Sequence, residues 1–487
     1  MEIPPTVETR IYHYSNKKYI TAHKTNTFPN IQMKKTNVIL LSIDSLRADH
    51  LSCYGYHRKT DEALLSFMNQ ITVFKNAYTY SYPTMRAFPP IISSLPPEFC
   101  TTKFPWQIYK KMSLPRNALT IADVLKHSGY YCIAHTGLCN FLTSPQGYSR
   151  GFDQFVGMLR QDGIKEKKLT NSFFSFISRQ LIYNLRYTPT VNLVSQMQRS
   201  FQWLRESLNA LTGTNIQEPF GIGNRSANEV TDYVLNCITN HKNNSFFVWA
   251  HYLDTHTPLS PPHEYAYNPN TSATTKRKIM DAIFKQKPIS PPLLQNLIDL
   301  YDGAIRSVFY QIRRIFDHLK NIGLLDHTCI IITGDHGFGL WEHGYWEYPD
   351  EHFYNESTRV PLLIYHPKLI YKKEMIRTPV SLIDLAPTII DICEQPPEPL
   401  FFGKSFATLL YKDHIFPSGN TWIETLGPPH RFCLIKGNQK IIYNKDSKQF
   451  LQCLDINDNI KKLRPEDKEI FLKELTSYEN KKATFPL

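Results

Sequence analysis

The sequence predicts an α/β fold: a mostly parallel central sheet with helices on both faces, followed by a small C-terminal α+β appendage. Three observations predict it. The run Asn37–Ile43 is almost wholly apolar, as expected of a parallel strand buried on both faces. Short apolar runs then alternate with amphipathic helical stretches along most of the chain, the pattern of a sheet covered by helices. Past residue 410 the alternation gives way to closely spaced short strands and one charged helix.

The elements follow in order. Residues 1–36 read as an irregular arm with basic pairs at Lys17-Lys18 and Lys34-Lys35. After the strand at 37–43, Ala118–Ser128 has helical periodicity and stops at Gly129, and Tyr130–Ala134 is a short strand. Residues 157–222 form an extra helical stretch carrying Phe173, Phe174, Phe176, Ile177, Leu181 and Ile182. It reads as an insertion packed on the domain, or as a lid or membrane-surface element. Asn228–Asn240 is an amphipathic helix, with Val230, Val234, Leu235 and Ile238 on one side, leading to the strand Ser245–His251. Leu294–Gly323 is a long helical pattern with a break expected at Gly303. Thr328–Thr333 and Val360–Tyr365 are strands. The appendage comprises strands Arg431–Lys436, Gln439–Tyr443 and Gln449–Leu454, then a helix near Pro465–Asn480. The expected division is an arm (1–36), a main domain (37–410) and a small C-terminal subdomain (411–487).

Of the 487 residues, 42% are hydrophobic and 13% aromatic, which excludes intrinsic disorder for the bulk of the chain. The formal charge of +12 favours anionic partners: phosphate esters, sulfate esters, nucleic acid or an acidic membrane surface. The nine cysteines lack CxxC spacing, which argues for reduced thiols over a disulfide framework or structural zinc site. The first 36 residues carry no apolar run of the length a secretory signal needs, and nowhere does an apolar run approach the ~18 residues of a membrane span. The expectation is a cytoplasmic protein.

Ligands of open α/β sheets collect at the carboxyl ends of the strands. The strand at 37–43 ends at Asp44, the strand at 328–333 ends at Gly334-Asp335-His336-Gly337, and the strand at 245–251 runs into His251, Asp254 and His256. A lone strand-end Asp is commonly a helix cap or turn former. Carboxylates and imidazole converging from separate strands instead suit a divalent cation. The flanking glycines are expected to leave room for a ligand. The segment Phe74–Pro97 is rich in hydroxyls and prolines and includes Ser81, Pro83 and Thr84. Such hydroxyls are weak nucleophiles unless a base or cation activates them.

Together these segments resemble the sulfatase-like branch of the alkaline phosphatase superfamily. Asn37–Tyr56 looks like its opening strand and loop, and Phe74–Pro97 like its nucleophile segment. Gly129-Tyr130 and Arg150–Asp153 are similar to its next strand and "GFD" turn, and Phe246–Pro258 resembles its HxxDxHxP element. Ile330–Gly337, Glu342–Gly344, Tyr354–Pro361, Ser381–Thr388 and Gly403–Ser405 continue the match, and Leu451–Asp458 is similar to its closing hairpin. The departures bear on chemistry. The nucleophile of sulfatases is a Cys or Ser oxidised to formylglycine. Ungapped spacing puts Thr84 there, and Thr cannot be so oxidised. The motif arginine is replaced by Phe88, with Arg86 nearby, and the usual second Asp is Ser45.

The resemblance implies a threonine-nucleophile type of enzyme, a phosphoester hydrolase or phosphotransferase. Asp44, Asp335, His336 and the Thr84 oxygen would hold one divalent metal ion, with zinc, manganese, magnesium and calcium all admissible. Thr84 would attack in line. His256 would contact the substrate or protonate the leaving group. Arg86, Asn140 and His343 would contact the substrate, with His135 a rival to Asn140 and Arg47 either a substrate charge or a salt-bridge partner. A shifted alignment makes Ser81 the nucleophile, the form expected of a sulfatase or phosphonate hydrolase. An inactive anion-binding relative is the third reading. The partner expected is an anionic phosphate or sulfate ester; nucleic acid is not expected, and a membrane surface is not favoured.

Overall fold

Alternate side chains of Asn37–Ile43 (β1) enter two different cores. Val38 and Leu40 pack on one face of the sheet, and Ile39, Leu41 and Ile43 on the other. This period of two is the geometry of a strand covered on both sides. The computed structural model describes residues 35–100, 112–157, 226–285, 287–344, 346–347, 353–368, 375–411, 420–425 and 429–486. The expected arm and the 157–222 insertion lie almost entirely outside them.

The remaining strands are β2 (Ile71–Tyr78), β3 (Tyr131–His135), β4 (Gln154–Val156), β5 (Phe246–Tyr252), β6 (Thr328–Gly334), β7 (Gly339–Leu340), β8 (Trp346–Glu347), β9 (Arg359–Tyr365), β10 (Val380–Ser381), β11 (Thr421–Glu424), β12 (Arg431–Lys436), β13 (Gln439–Asn444) and β14 (Gln449–Asp455). Eight form the central sheet in the order β10-β2-β9-β6-β1-β5-β3-β4. All neighbouring pairs are parallel except those of β9, which runs against both β2 and β6. The mostly parallel sheet expected from the sequence is therefore present. The carboxyl ends of β2, β6, β1 and β5 consequently share one edge.

Helices Thr84–Ser93, Ile121–His127 and Leu385–Ile392 cover one face, and Ala227–Asn240, Ala273–Phe284 and Pro291–Asn321 the other. Two starts are capped by reciprocal side-chain bonds, at Thr120 with Asp123 and at Ser226 with Glu229. The helix Pro291–Asn321 is continuous through Gly303, so no break occurs there. Gly303 instead meets Ala266 and Pro261, and an added Cβ would sit 3.1 Å from both. The glycine serves close packing.

The C-terminal strands β11 to β14 form an antiparallel sheet. One face packs Phe432, Leu434 and Tyr443 against Phe471, Leu475 and Tyr478 of the helix Pro465–Ala483. Tyr80 belongs to that core, whereas Tyr78 and Tyr82 pack on the opposite face with Ile423, Ile435 and Ile442. The small sheet thus grips both sides of the chain that leads from β2 to Thr84. Among the described residues, no helix is long and apolar enough to cross a membrane.

Candidate functional site

Register brings the strand ends together. Ser42 of β1 pairs with His251 of β5, and Ile43 pairs with Gly334 of β6. Asp44, His251 and Asp335 therefore emerge side by side, all buried, with ligand atoms within 4.8 Å of one another. Thr84 enters from the next parallel strand. Pro83 stands in extended conformation at the N-cap and Thr84 opens the helix, so its hydroxyl sits at the positive end of the helix dipole. The Thr84 hydroxyl lies 3.0 Å from His336 Nε2 and 3.3 Å from Asp44 Oδ2.

The His336 Nδ1 lies 2.9 Å from the Gly337 carbonyl, which accepts only; Nδ1 carries the proton and Nε2 presents a lone pair to Thr84. Asp335 Oδ1 accepts from the backbone N–H groups of Ser45 and His336, and the Ser45 hydroxyl donates to Asp44 Oδ1. Burial opposes ionisation of Asp44, but the nearby imidazoles of His256, His251 and His336 outweigh it and hold the carboxyl well below the usual range. Burial and the neighbouring Asp44 charge push Asp335 up to about 8. One carboxylate is comfortable in this cluster and a second is not, the electrostatic signature of a cation-binding pair.

A divalent cation fits these residues on direct grounds. His251 Nε2 and Asp335 Oδ2 are buried atoms without a hydrogen-bond partner among the described residues, and both belong to the cluster. Buried polar atoms ordinarily find partners. His251 was not in the ligand set implied by the resemblance. The signal lay in its place at the end of β5, but its approach to Asp44 follows from strand register, which the sequence does not display.

The other expected residues fall differently. His256 is half-buried, its Nδ1 2.6 Å from the Thr257 carbonyl, and it acts electrostatically on Asp44. Arg86 is buried in the first turn of the Thr84 helix. His343 is exposed, pairs with Glu356 at 2.6 Å and stacks on Tyr354. Asn140 is exposed on the loop after β3, whereas His135 is buried and accepts from Gly137 N–H. Arg47 pairs with Asp49 and Glu342, a structural bridge. The Ser81 hydroxyl donates to the Glu424 carbonyl at 2.8 Å. Asp254 Oδ1 accepts from Ala227 N–H at the start of a helix. Phe88, at the expected arginine position, packs edge-on against the His251 ring. The glycines beside Asp335-His336 leave no ligand room: an added Cβ would strike the Leu46 carbonyl at Gly334 and the Glu356 carbonyl at Gly337.

Fold and site together define a member of the alkaline phosphatase and sulfatase superfamily. The Sulfatase family model matches residues 36–394, and the chain belongs to that family. Over 93 residues it is 40% identical to an N-acetylglucosamine-6-O-sulfatase of Bacteroides thetaiotaomicron, a match covering 19% of this chain and 16% of that protein. It is 24% identical to arylsulfatase K of Gallus gallus over 398 residues, 78% of this chain and 68% of that protein. A solved structure in complex with its substrate D-glucosamine-2-N,6-O-disulfate superposes with a TM-score of 0.65 at 16% identity, covering 93% of this chain and 99% of the other. A phosphonate monoester hydrolase from Silicibacter pomeroyi superposes with a TM-score of 0.62 at 16% identity, covering 93% and 96%. At such identities the likeness is one of fold.

Proposed function

We propose that this chain is a cation-dependent hydrolase or transferase of phosphate esters in which Thr84 is the nucleophile. The observation that carries the reading is the Thr84 hydroxyl, 3.0 Å from a His336 lone pair and 3.3 Å from Asp44 Oδ2, in a buried cluster of strand-end ligands. Asp44, Asp335, His336 and His251 would hold the divalent cation, whose contribution when bound is to lower the hydroxyl pKa and neutralise charge on the transferring group. Thr84 Oγ attacks phosphorus in line as the bond to the leaving alkoxide breaks. The hydroxyl proton has Asp44 Oδ2 within reach. His256 supplies a proton to the leaving oxygen. Water, or a second alcohol in a transferase, then attacks the phosphothreonine and restores the Thr84 hydroxyl.

A second reading, hydrolysis of a sulfate ester, has equal support from the names of the relatives. Under it Ser81 is the competing nucleophile. The engagement of the Ser81 hydroxyl with the Glu424 carbonyl favours Thr84. The test compares purified parent, Thr84→Ala and Ser81→Ala on activated phosphodiester, phosphonate monoester and sulfate ester substrates. We expect Thr84→Ala to lose at least ~10³-fold in kcat and Ser81→Ala to stay within ~10-fold. Loss of turnover in Ser81→Ala with Thr84→Ala unaffected would reverse the assignment. Preference for the sulfate ester would select the second reading.

A further inference from the structure

The His251 ring is held as a ligand is held. Its Nδ1 lies 3.3 Å from the Ser42 carbonyl oxygen and 3.1 Å from Ser42 Oγ. The carbonyl only accepts, so Nδ1 carries the proton, and in the neutral ring Nε2 presents its lone pair. The Trp249 indole N–H donates to Ser42 Oγ at 3.0 Å, which anchors that hydroxyl. Phe88 lies edge-on against the ring, with centroids 4.8 Å apart. Ring orientation and tautomer are thus both set from behind, as outer partners set metal-binding histidines.

The front of the ring lacks any such match. Nε2 is buried, has no hydrogen-bond partner among the described residues and lies 3.7 Å from Asp44 Oδ2. A lone pair facing a carboxylate oxygen is repulsive unless a proton or a cation stands between them, and 3.7 Å is too long for an N–H···O bond but leaves room for a shared cation. Asp335 Oδ2, the other orphaned atom, belongs to the same cluster.

The donor types discriminate among cations. Ser45 stands where the resemblance expects a second carboxylate, and its hydroxyl is spent on Asp44. Two carboxylates and two imidazoles remain around Thr84. Calcium and magnesium are bound almost wholly by oxygen, whereas imidazole nitrogen favours zinc-class transition ions. Two carboxylates balance a divalent charge without help from a third.

We propose that His251 binds the cation directly through Nε2, and that the site takes a zinc-class transition cation in preference to calcium or magnesium. The proposal rests on the cation reading of the cluster, but not on which residue attacks the ester.

The test uses the full chain, stripped with a chelator, and titrates Zn²⁺, Ca²⁺ and Mg²⁺ by calorimetry. Cobalt(II) visible absorption serves as a second readout. Parent, His251→Ala, His251→Gln and Asp335→Asn are compared, with near-ultraviolet circular dichroism reporting folding of each. We expect one Zn²⁺ per chain that a 100-fold excess of Ca²⁺ fails to displace. Both His251 variants should lose at least ~100-fold in Zn²⁺ affinity, beyond the range of an outer-sphere partner, and shift the cobalt spectrum. Unchanged Zn²⁺ affinity and cobalt spectrum in folded His251→Gln, with affinity lost in Asp335→Asn, overturn His251 as a ligand while leaving the cation site standing. Tighter binding of Ca²⁺ than Zn²⁺ by the parent overturns the preference. If parent and Asp335→Asn alike bind no cation, the underlying cation reading fails instead. If neither His251 variant folds, X-ray absorption of the zinc-loaded parent counts the imidazole ligands: two are expected, and one alone overturns His251 as a ligand.

Discussion

The proposed chemistry of Thr84 depends on its neighbours, His336 Nε2 at 3.0 Å and Asp44 Oδ2 at 3.3 Å. Asp44, Asp335 and His336 were legible in the sequence because each follows an apolar strand. The contacts of loop residues such as His343 were not, since these depend on how the loops fold. His343 illustrates this, meeting Glu356 across 13 positions. Asp254 offers a test at this scale that is separate from the cation. Burial pushes its carboxyl up to about 6, against the backbone N–H groups that favour its charge. Its folded pKa exceeds the unfolded value of about 3.9, so the folded state holds the proton more tightly. Stability should therefore fall as pH rises from about 4 to about 6 and level off above. Asp254→Asn retains an oxygen to accept from Ala227 N–H and removes the charge. We expect the variant to match the parent near pH 4 and to exceed it by up to about 3 kcal/mol at pH 7, measured by urea unfolding. Parallel pH profiles for the two proteins would contradict this.

The small C-terminal sheet positions the segment leading to Thr84 from outside the central sheet. Glu424 N–H of β11 donates to the Tyr80 carbonyl, the Ser81 hydroxyl donates to the Glu424 carbonyl, and Tyr80 donates to the Glu424 carboxylate. Lys482 from the last helix neutralises both Glu424 and Glu98. Its side chain is 10% exposed, so removing the cation leaves a buried carboxylate uncompensated. Lys482→Met should cost about 3 kcal/mol in urea unfolding. Lys461→Met, which removes a 50%-exposed partner of Asp455, should cost less than about 1 kcal/mol. Equal losses would argue against a buried clamp. The sequence disclosed the sheet itself, with its strands at 431–436, 439–443 and 449–454. It did not disclose β2, where Lys75 and Asn76 interrupt the apolar run, or β11, which is only four residues long. Nor does period alone distinguish a glycine that breaks a helix from one that admits a neighbour, which is why Gly303 misled.

Across the whole molecule, the order of strands matters more than any one of them. Four parallel neighbourhoods deliver Thr84, Asp335, Asp44 and His251 to one edge, and the single antiparallel strand β9 lies between β2 and β6 without disturbing that edge. Alternation of strand and helix revealed the layers, because burial on both faces is written in composition. Strand order is not, because it depends on pairings between distant segments, such as Ala77 with Val380. The net charge of +12 adds long-range attraction for an anionic ester. Raising ionic strength from about 0.01 to 0.15 M, which shortens the screening length from about 30 to 8 Å, should raise KM severalfold and leave kcat nearly unchanged. A fall in kcat alone would place the salt effect in the chemical step. The most direct test of the account is peptide-mapped mass analysis of the cation-loaded enzyme, acid-quenched during turnover of an activated phosphodiester or sulfate ester. We expect one covalent phosphoryl adduct, on Thr84. An adduct on Ser81, or full turnover by Thr84→Ala, would contradict it.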